Sequence, residues 1–216
     1  MNRLFLWFVK ITGYPFQYFF FRKKVYYESD LSPRKIKGGA LIVSNHTSVY
    51  DFPLVMYTYL PRTIRPLVAE LMFEKSKFMN FVLTGIGCVR VERYKYDTSF
   101  IPKMTKYLRK GQVGLVYPEA FVPTTEEELR EFLPFKPSYI YVALESGVPL
   151  IPVYTNGIYG KDMKKKKSHA KIIIGDPIDV VKLYDDNKTE KENIEWINNY
   201  VRDYIKNLRN ILESGK

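Results

Sequence analysis

Residues 38–51 read Gly-Gly-Ala-Leu-Ile-Val-Ser-Asn-His-Thr-Ser-Val-Tyr-Asp. Ala40 to Val43 is a short apolar run behind a glycine pair, the pattern of a strand buried on both faces. The polar stretch after it leads into a helical pattern from Asp51 to Tyr59. Similar apolar runs recur at Arg65 to Ala69, Cys88 to Val91, Val113 to Tyr117, Leu150 to Tyr154 and Lys171 to Ile174. Helical patterns stand between them, around Phe78 to Thr84, at Thr98 to Arg109 and at Ser138 to Glu145, the last stopped by Gly147. Strands alternating with helices predict an α/β domain, a single unit whose largely parallel, mixed central sheet is flanked by helices. Ile194, Ile197, Val201, Tyr204, Leu208 and Ile211 follow at spacings of three and four, predicting a long amphipathic helix over Glu190 to Leu212 laid on the body. No internal repeat or linker divides the chain.

Composition narrows what this domain meets. The chain has 216 residues, 46% of them hydrophobic, which suits one domain with its own core rather than a disordered chain or a multi-span membrane protein. A lone cysteine, Cys88, excludes an internal disulfide framework and points to a reducing compartment. Thirty-four Lys and Arg against 23 Asp and Glu leave +11, which suits an anionic partner, nucleic acid or a membrane surface. The distribution of aromatic residues separates these two. Phe5, Trp7, Phe8, Tyr14, Phe16, Tyr18, Phe19, Phe20 and Phe21 crowd the N-terminus instead of alternating with cations along a strand, as a nucleic-acid platform would require. Lys10, Gly13, Pro15 and Gln17 interrupt the stretch, so it reads as an amphipathic aromatic helix lying in a lipid interface rather than a span. Residues 1–30 are accordingly assigned to a membrane-anchoring segment, with Arg3, Lys10, Arg22, Lys23 and Lys24 facing anionic lipid, and 31–216 to the α/β domain. The competing reading packs the aromatic face on the protein's own core. The lysine run from Lys161 to Lys167 reads first as a solvated loop.

Two imidazoles are available. His169 follows the lysine run, whereas His46 lies between a strand and a helix, where open α/β sheets gather their ligand sites. Asp51 is five residues on; on one regular helix the two side chains would point about 140° apart, so they meet only if His46 sits in the turn. A carboxylate so placed fixes the tautomer of the ring and leaves the other nitrogen as a base. Asp51 also has plain structural roles open to it, in a Ser48-x-x-Asp51 capping box or as the N-cap itself. No metal-ligand cluster is visible.

Four ordered stretches identify a family. Asn45-His46-x-x-x-x-Asp51, Gly87-Cys88-Val89-Arg90-Val91-Glu92-Arg93, Val116-Tyr117-Pro118-Glu119 and Val148-Pro149-Leu150-Ile151-Pro152-Val153, with Phe135-Lys136 between the last two, resemble the motifs of the glycerolipid acyltransferases. The resemblance runs from about Gly38 to Pro177 and implies a glycerol-3-phosphate acyltransferase-like fold. It implies a reaction in which His46, oriented by Asp51, takes the proton of a lysophospholipid hydroxyl as that oxygen attacks an acyl thioester. Asn45, Arg93, Glu119, Gly87, Pro118 and Lys136 are the substrate-binding residues it suggests, Asn45 as an oxyanion donor. No cofactor beyond acyl-CoA or acyl-carrier protein as co-substrate is expected. The partners implied are a phospholipid surface and a lysophospholipid acceptor, without nucleic acid, at the cytoplasmic face of a membrane in phospholipid biosynthesis or remodelling.

One departure bears on the acceptor. After Glu119 the family continues through Gly-Thr to Arg-Ser, whereas this chain reads Ala120-Phe121-Val122-Pro123, so Val122 replaces the arginine expected to grip a phosphate. Arg90 alternates away from Arg93 and is no obvious substitute. An inactive membrane-bound scaffold is therefore a rival to the enzyme. Met72, Phe73, Phe78, Phe81 and Leu83 are read as core, with an acyl-chain groove as the alternative.

Overall fold

The structure, a computed structural model, describes residues 3–92, 94, 97–159 and 169–215. Its strands are β1 (Lys24–Tyr27), β2 (Ala40–Ser44), β3 (Ile64–Ala69), β4 (Val89–Val91), β5 (Val113–Val116), β6 (Leu150–Asn156) and β7 (Lys171–Ile174). They form one sheet in the order β1-β7-β6-β2-β5-β3-β4, parallel throughout except for the antiparallel pair β6 and β7. The helices are α1 (Arg3–Phe21), α2 (Asp51–Thr58), α3 (Glu70–Glu74), α4 (Lys77–Ile86), α5 (Phe100–Arg109), α6 (Glu126–Glu131), α7 (Ser138–Ser146), α8 (Val180–Leu183) and α9 (Glu190–Ser214).

The central strand β2 is buried along its whole length because both its faces are covered. Val43 joins the core formed with α5, α7 and α9, while Ile42 joins the opposite core, against Leu54 and Val55 of α2. Alternation along one strand thus feeds two hydrophobic layers. α9 closes the first of them with Ile197, Val201, Ile205 and Leu208, each fully buried. Such side chains each contribute about 1.5–3 kcal/mol through burial.

β1 lies within the segment assigned to the anchor, yet its four residues pair with Lys171–Ile174 and extend the sheet. Its short Lys-Val-Tyr-Tyr stretch has no apolar run to announce it; pairing with β7 makes it a strand. α1 is likewise joined to the body. Leu6 enters a small core with Phe73, Ile86 and Cys88, and Phe21 enters the α2 layer. Gly13 lets α1 pass close over Tyr57, whose hydroxyl donates to Val9 O at 3.0 Å; a Cβ at Gly13 would stand 2.2 Å from that hydroxyl.

The polarity of α1 is the reverse of a helix packed in water. Lys10 and Gln17 are buried, each 3% exposed, while Leu4, Phe8, Ile11, Tyr18 and Phe19 face outward. Lys10 therefore does not face lipid as expected: its Nζ donates to Pro61 O at 3.0 Å and Arg62 O at 2.8 Å. Lys23 is also drawn inward, its Nζ donating to Thr58 Oγ1 at 3.1 Å, and burial lowers its pKa to about 8. Arg22 and Lys24 are exposed. Phe78 and Phe81 of α4 are neither core nor groove: they are exposed, and Phe81 meets Phe5 of α1 edge-to-face at 5.1 Å. Phe73 is core and Leu83 is partly buried beside it, as read from the sequence. No helix among the described residues is long and apolar enough to cross a membrane. Lys161 to Lys167 lie outside the described residues.

Candidate active site

The site forms where β2 and β5 end. β2 stops at Ser44, and the turn of residues 45–50 carries His46 to the lip of a cleft before α2 begins at Asp51. His46 Nδ1 stands 2.8 Å from Asp51 Oδ2. The same oxygen accepts the backbone N–H groups of Thr47 at 2.7 Å and Ser48 at 2.8 Å, and Oδ1 accepts the Thr47 hydroxyl at 3.1 Å. Asp51 is the first residue of α2 and is fully buried. The N-cap of α2 is Tyr50 rather than Asp51, while the Asp51 carboxylate accepts the Ser48 N–H as the acidic member of a Ser48-x-x-Asp51 box does. With Nδ1 donating to a buried carboxylate, Nε2 is left as the basic nitrogen on the cleft side.

Tyr117, directly after β5, stacks on the imidazole with ring centres 4.5 Å apart and planes 19° from parallel. Glu119 braces the turn from behind. Its Oε1 accepts His46 N at 2.7 Å and its Oε2 accepts Leu133 N at 2.9 Å. Burial pushes the Glu119 carboxyl up to about 7, outweighing the two backbone donors. Glu119 is 2% exposed and stands behind the cleft, so its place is that of a brace.

The cleft has a volume of about 1120 Å³. Val49, Phe52, Leu67, Val68, Met72 and Val116 give it apolar walls, and Pro118, Phe121 and Val122 line it too. Among the described residues lining it, Lys136 is the only lysine or arginine. Its Nζ lies 6.0 Å from the centre of the Phe121 ring, and its backbone N–H donates to Pro118 O at 2.9 Å. Glu92 and Asp97 line the same cleft.

The remaining site residues from the sequence fall elsewhere. Asn45 is buried and committed to β6: its Nδ2 donates to Thr155 O at 3.0 Å and its Oδ1 accepts Thr155 N at 2.8 Å. Its amide ties β2 to β6, which uses one of the two Nδ2 N–H groups. Gly87 is a helix terminus with φ 89°, its N–H returned to Leu83 O and Thr84 O, and is not in the cleft lining. Arg90 pairs with Glu70 at 3.0 Å and packs over the Phe73 ring, and it is not among the residues that line the cleft. Arg93 lies outside the described residues. His169 is exposed, its Nδ1 3.1 Å from Arg22 O, and has no part in the cleft. The Tyr117 stack was not foreseen, although the residue stands inside a quoted motif.

Comparison with known proteins extends this geometry. Residues 22–156 match the family model described as Acyltransferase. A 1-acyl-sn-glycerol-3-phosphate acyltransferase of Haemophilus influenzae is 28% identical over 152 residues, covering 68% of this chain and 61% of the relative. The human 1-acyl-sn-glycerol-3-phosphate acyltransferase beta is 26% identical over 62% of this chain and 48% of its own length, so this chain spans about half to three fifths of these relatives. A Bacillus subtilis protein of the first name is 25% identical over 88% of this chain and 89% of its own length. The crystal structure of the 1-acyl-sn-glycerophosphate (LPA) acyltransferase from Thermotoga maritima shares the fold, with a TM-score of 0.63 at 19% identity, covering 94% of this chain and 79% of that one.

Proposed function

Because the chain belongs to the acyltransferase family, we propose that it moves a fatty acyl group from an acyl thioester to the free hydroxyl of a lysophospholipid, with 1-acylglycerol-3-phosphate as the preferred acceptor. The observation that carries this reading is the His46–Asp51 pair, 2.8 Å apart, at the lip of a large apolar cleft. Nε2 of His46 takes the hydroxyl proton as the oxygen attacks the thioester carbonyl. The C–S bond then breaks, and the leaving thiolate takes that proton from the imidazolium, yielding a free thiol and an O-ester. Asp51 holds the ring and balances its transient charge; such general-base help is typically worth roughly 10²–10⁴ in rate. The donor thioester is carried by coenzyme A or acyl-carrier protein.

Lys136 supports the choice of acceptor. It lines the same cleft as Val122, which stands where the family's arginine is missing, and an ammonium there suits a phosphate as a point charge. The reaction belongs at a lipid surface. Outward Leu4, Phe8, Ile11 and Phe19 on a helix that buries a lysine and a glutamine suit a surrounding that is itself apolar, and α4 adds Phe78 and Phe81 to the patch.

Purified protein assayed with acyl-CoA and acyl-carrier-protein donors against a panel of lysolipids tests the whole reading. Turnover of 1-acylglycerol-3-phosphate that His46→Ala abolishes is the expected result. Equal inactivity of wild type and variant on every acceptor would favour the scaffold instead.

A further inference from the structure

α9 lies beyond the segment matched by the family model, and it turns a polar stripe toward the strap that joins α6 to α7. Asn198, Arg202, Lys206 and Arg209 follow at spacings of four, four and three, so they share one helix face. Arg209 donates to Arg130 O, and Arg202 donates to Glu131 O at 2.8 Å and Phe132 O at 3.3 Å. Lys206 reaches the Glu131 carboxylate at 3.0 Å. Asn198 donates to Phe135 O at 3.0 Å and accepts the Tyr139 hydroxyl at 3.0 Å. Several of these acceptors are carbonyls that the end of α6 leaves without helical partners.

The strap is held against its own preference. Phe132 adopts φ 59° and ψ 146°, a conformation that residues with a Cβ seldom enter and that persists where neighbours enforce it. Its ring is buried beside Phe135 and Tyr154, with the Arg209 guanidinium 5.4 Å away. On its other edge the strap meets the catalytic turn. Leu133 N–H donates to Glu119, the brace of His46, and Lys136 N–H donates to Pro118 O. One short segment is thus pinned by α9 on one side and by the His46 turn on the other, and it ends by placing Lys136 in the cleft.

We infer that the polar stripe of α9 is a positioning element for the acceptor site, holding the strained strap so that Lys136 meets the acceptor's phosphate. This rests on the proposed contact between Lys136 and that phosphate. A purely structural stripe would change the amount of folded enzyme. A positioning stripe changes KM for the anionic acceptor at unchanged kcat.

Steady-state kinetics with 1-acylglycerol-3-phosphate on Lys136→Met, Asn198→Ala, Arg202→Gln and the two doubles that include Lys136→Met separate the possibilities. Lys136→Met is expected to raise KM about tenfold, and each α9 variant about threefold or more with kcat within about twofold. Each double should add little to Lys136→Met alone, since both changes remove the same contact. An unchanged KM in Lys136→Met overturns the phosphate contact itself. A raised KM there, with α9 variants that are silent or fully additive, overturns the inference. Amide exchange gives a second readout should Arg202→Gln fold poorly. The Leu133 and Lys136 amides are expected to exchange about tenfold faster or more in Asn198→Ala, and unaltered protection would count against the stripe as decisively.

Discussion

Nδ1 of His46 stands 2.8 Å from Oδ2 of Asp51, and that one oxygen also holds the N–H groups of Thr47 and Ser48. The imidazole and the turn that carries it therefore share an anchor, so a change at Asp51 acts on both. Asp51→Asn puts an amide where three donors converge, and only its oxygen can accept. We expect kcat to fall about a hundredfold or more with KM near wild type, and the His46→Ala, Asp51→Asn double to be no worse than His46→Ala alone. Steady-state rates at saturating acceptor check this; a D51N enzyme within a few fold of wild type would remove Asp51 from the mechanism.

Glu119 makes stability depend on pH. Burial raises its carboxyl from the ordinary 4.5 to about 7, so the folded state binds the proton more tightly than the unfolded chain. The stabilisation is fully present below about pH 4.5 and is lost as pH rises through about 7, with a span of about 3 kcal/mol. Denaturant unfolding at about pH 5 and about pH 8 should show wild type weaker at the higher pH and Glu119→Gln without most of that difference. An equal difference in both proteins would assign the effect to other groups.

Ala120 stands at φ 60° where the family carries glycine. The left-handed region costs a residue with a Cβ about 1–2 kcal/mol, and glycine returns part of that through its looser unfolded chain. Ala120→Gly is therefore expected to raise stability by up to about 1 kcal/mol, or roughly 2–4 °C in Tm. A lower Tm would mean that the methyl group packs better than the backbone geometry implies.

Val122→Arg adds a second cation to the cleft that Lys136 lines. KM for 1-acylglycerol-3-phosphate should drop about threefold to tenfold, since a phosphate gains a bidentate partner. If KM instead rises, the acceptor headgroup does not sit against Val122.

The outward face of α1 predicts binding to vesicles. Phe8→Glu with Ile11→Glu should abolish flotation with anionic liposomes while shifting Tm by no more than about 2 °C, because both side chains are exposed. The chain has two tryptophans, so Trp196→Phe leaves Trp7 as sole reporter. Its emission should shift to the blue with vesicles, and an unmoved spectrum would take α1 off the membrane.

The strands and long helices are legible because their signals are local: a closed apolar run such as Leu41 to Val43, or a stripe such as Ile197, Val201 and Leu208, announces itself within one window. β1 and α6 escape because a four-residue edge strand and a run of glutamates and arginine have no apolar pattern to show. The His46–Asp51 pair is legible for a related reason. Five residues that leave a strand and enter a helix have few ways to fold, and one of them joins the two side chains.

What the amino-acid order determined by itself is the α/β layout, the acyltransferase motifs and the aromatic, cationic front of the chain. Tertiary structure decided which way each group faces. Lys10 and Phe8 belong to one helix, yet the lysine turns inward to the carbonyls of Pro61 and Arg62 and the phenylalanine turns out. Asn45 is drawn to Thr155, 110 residues away, and Lys136 is delivered to the cleft by a strap held from α9. The physical reason is the same in each case. A side chain's partner is set by which backbone carbonyls and cavities the rest of the fold brings within about 3 Å of it, and those neighbours come from distant parts of the chain.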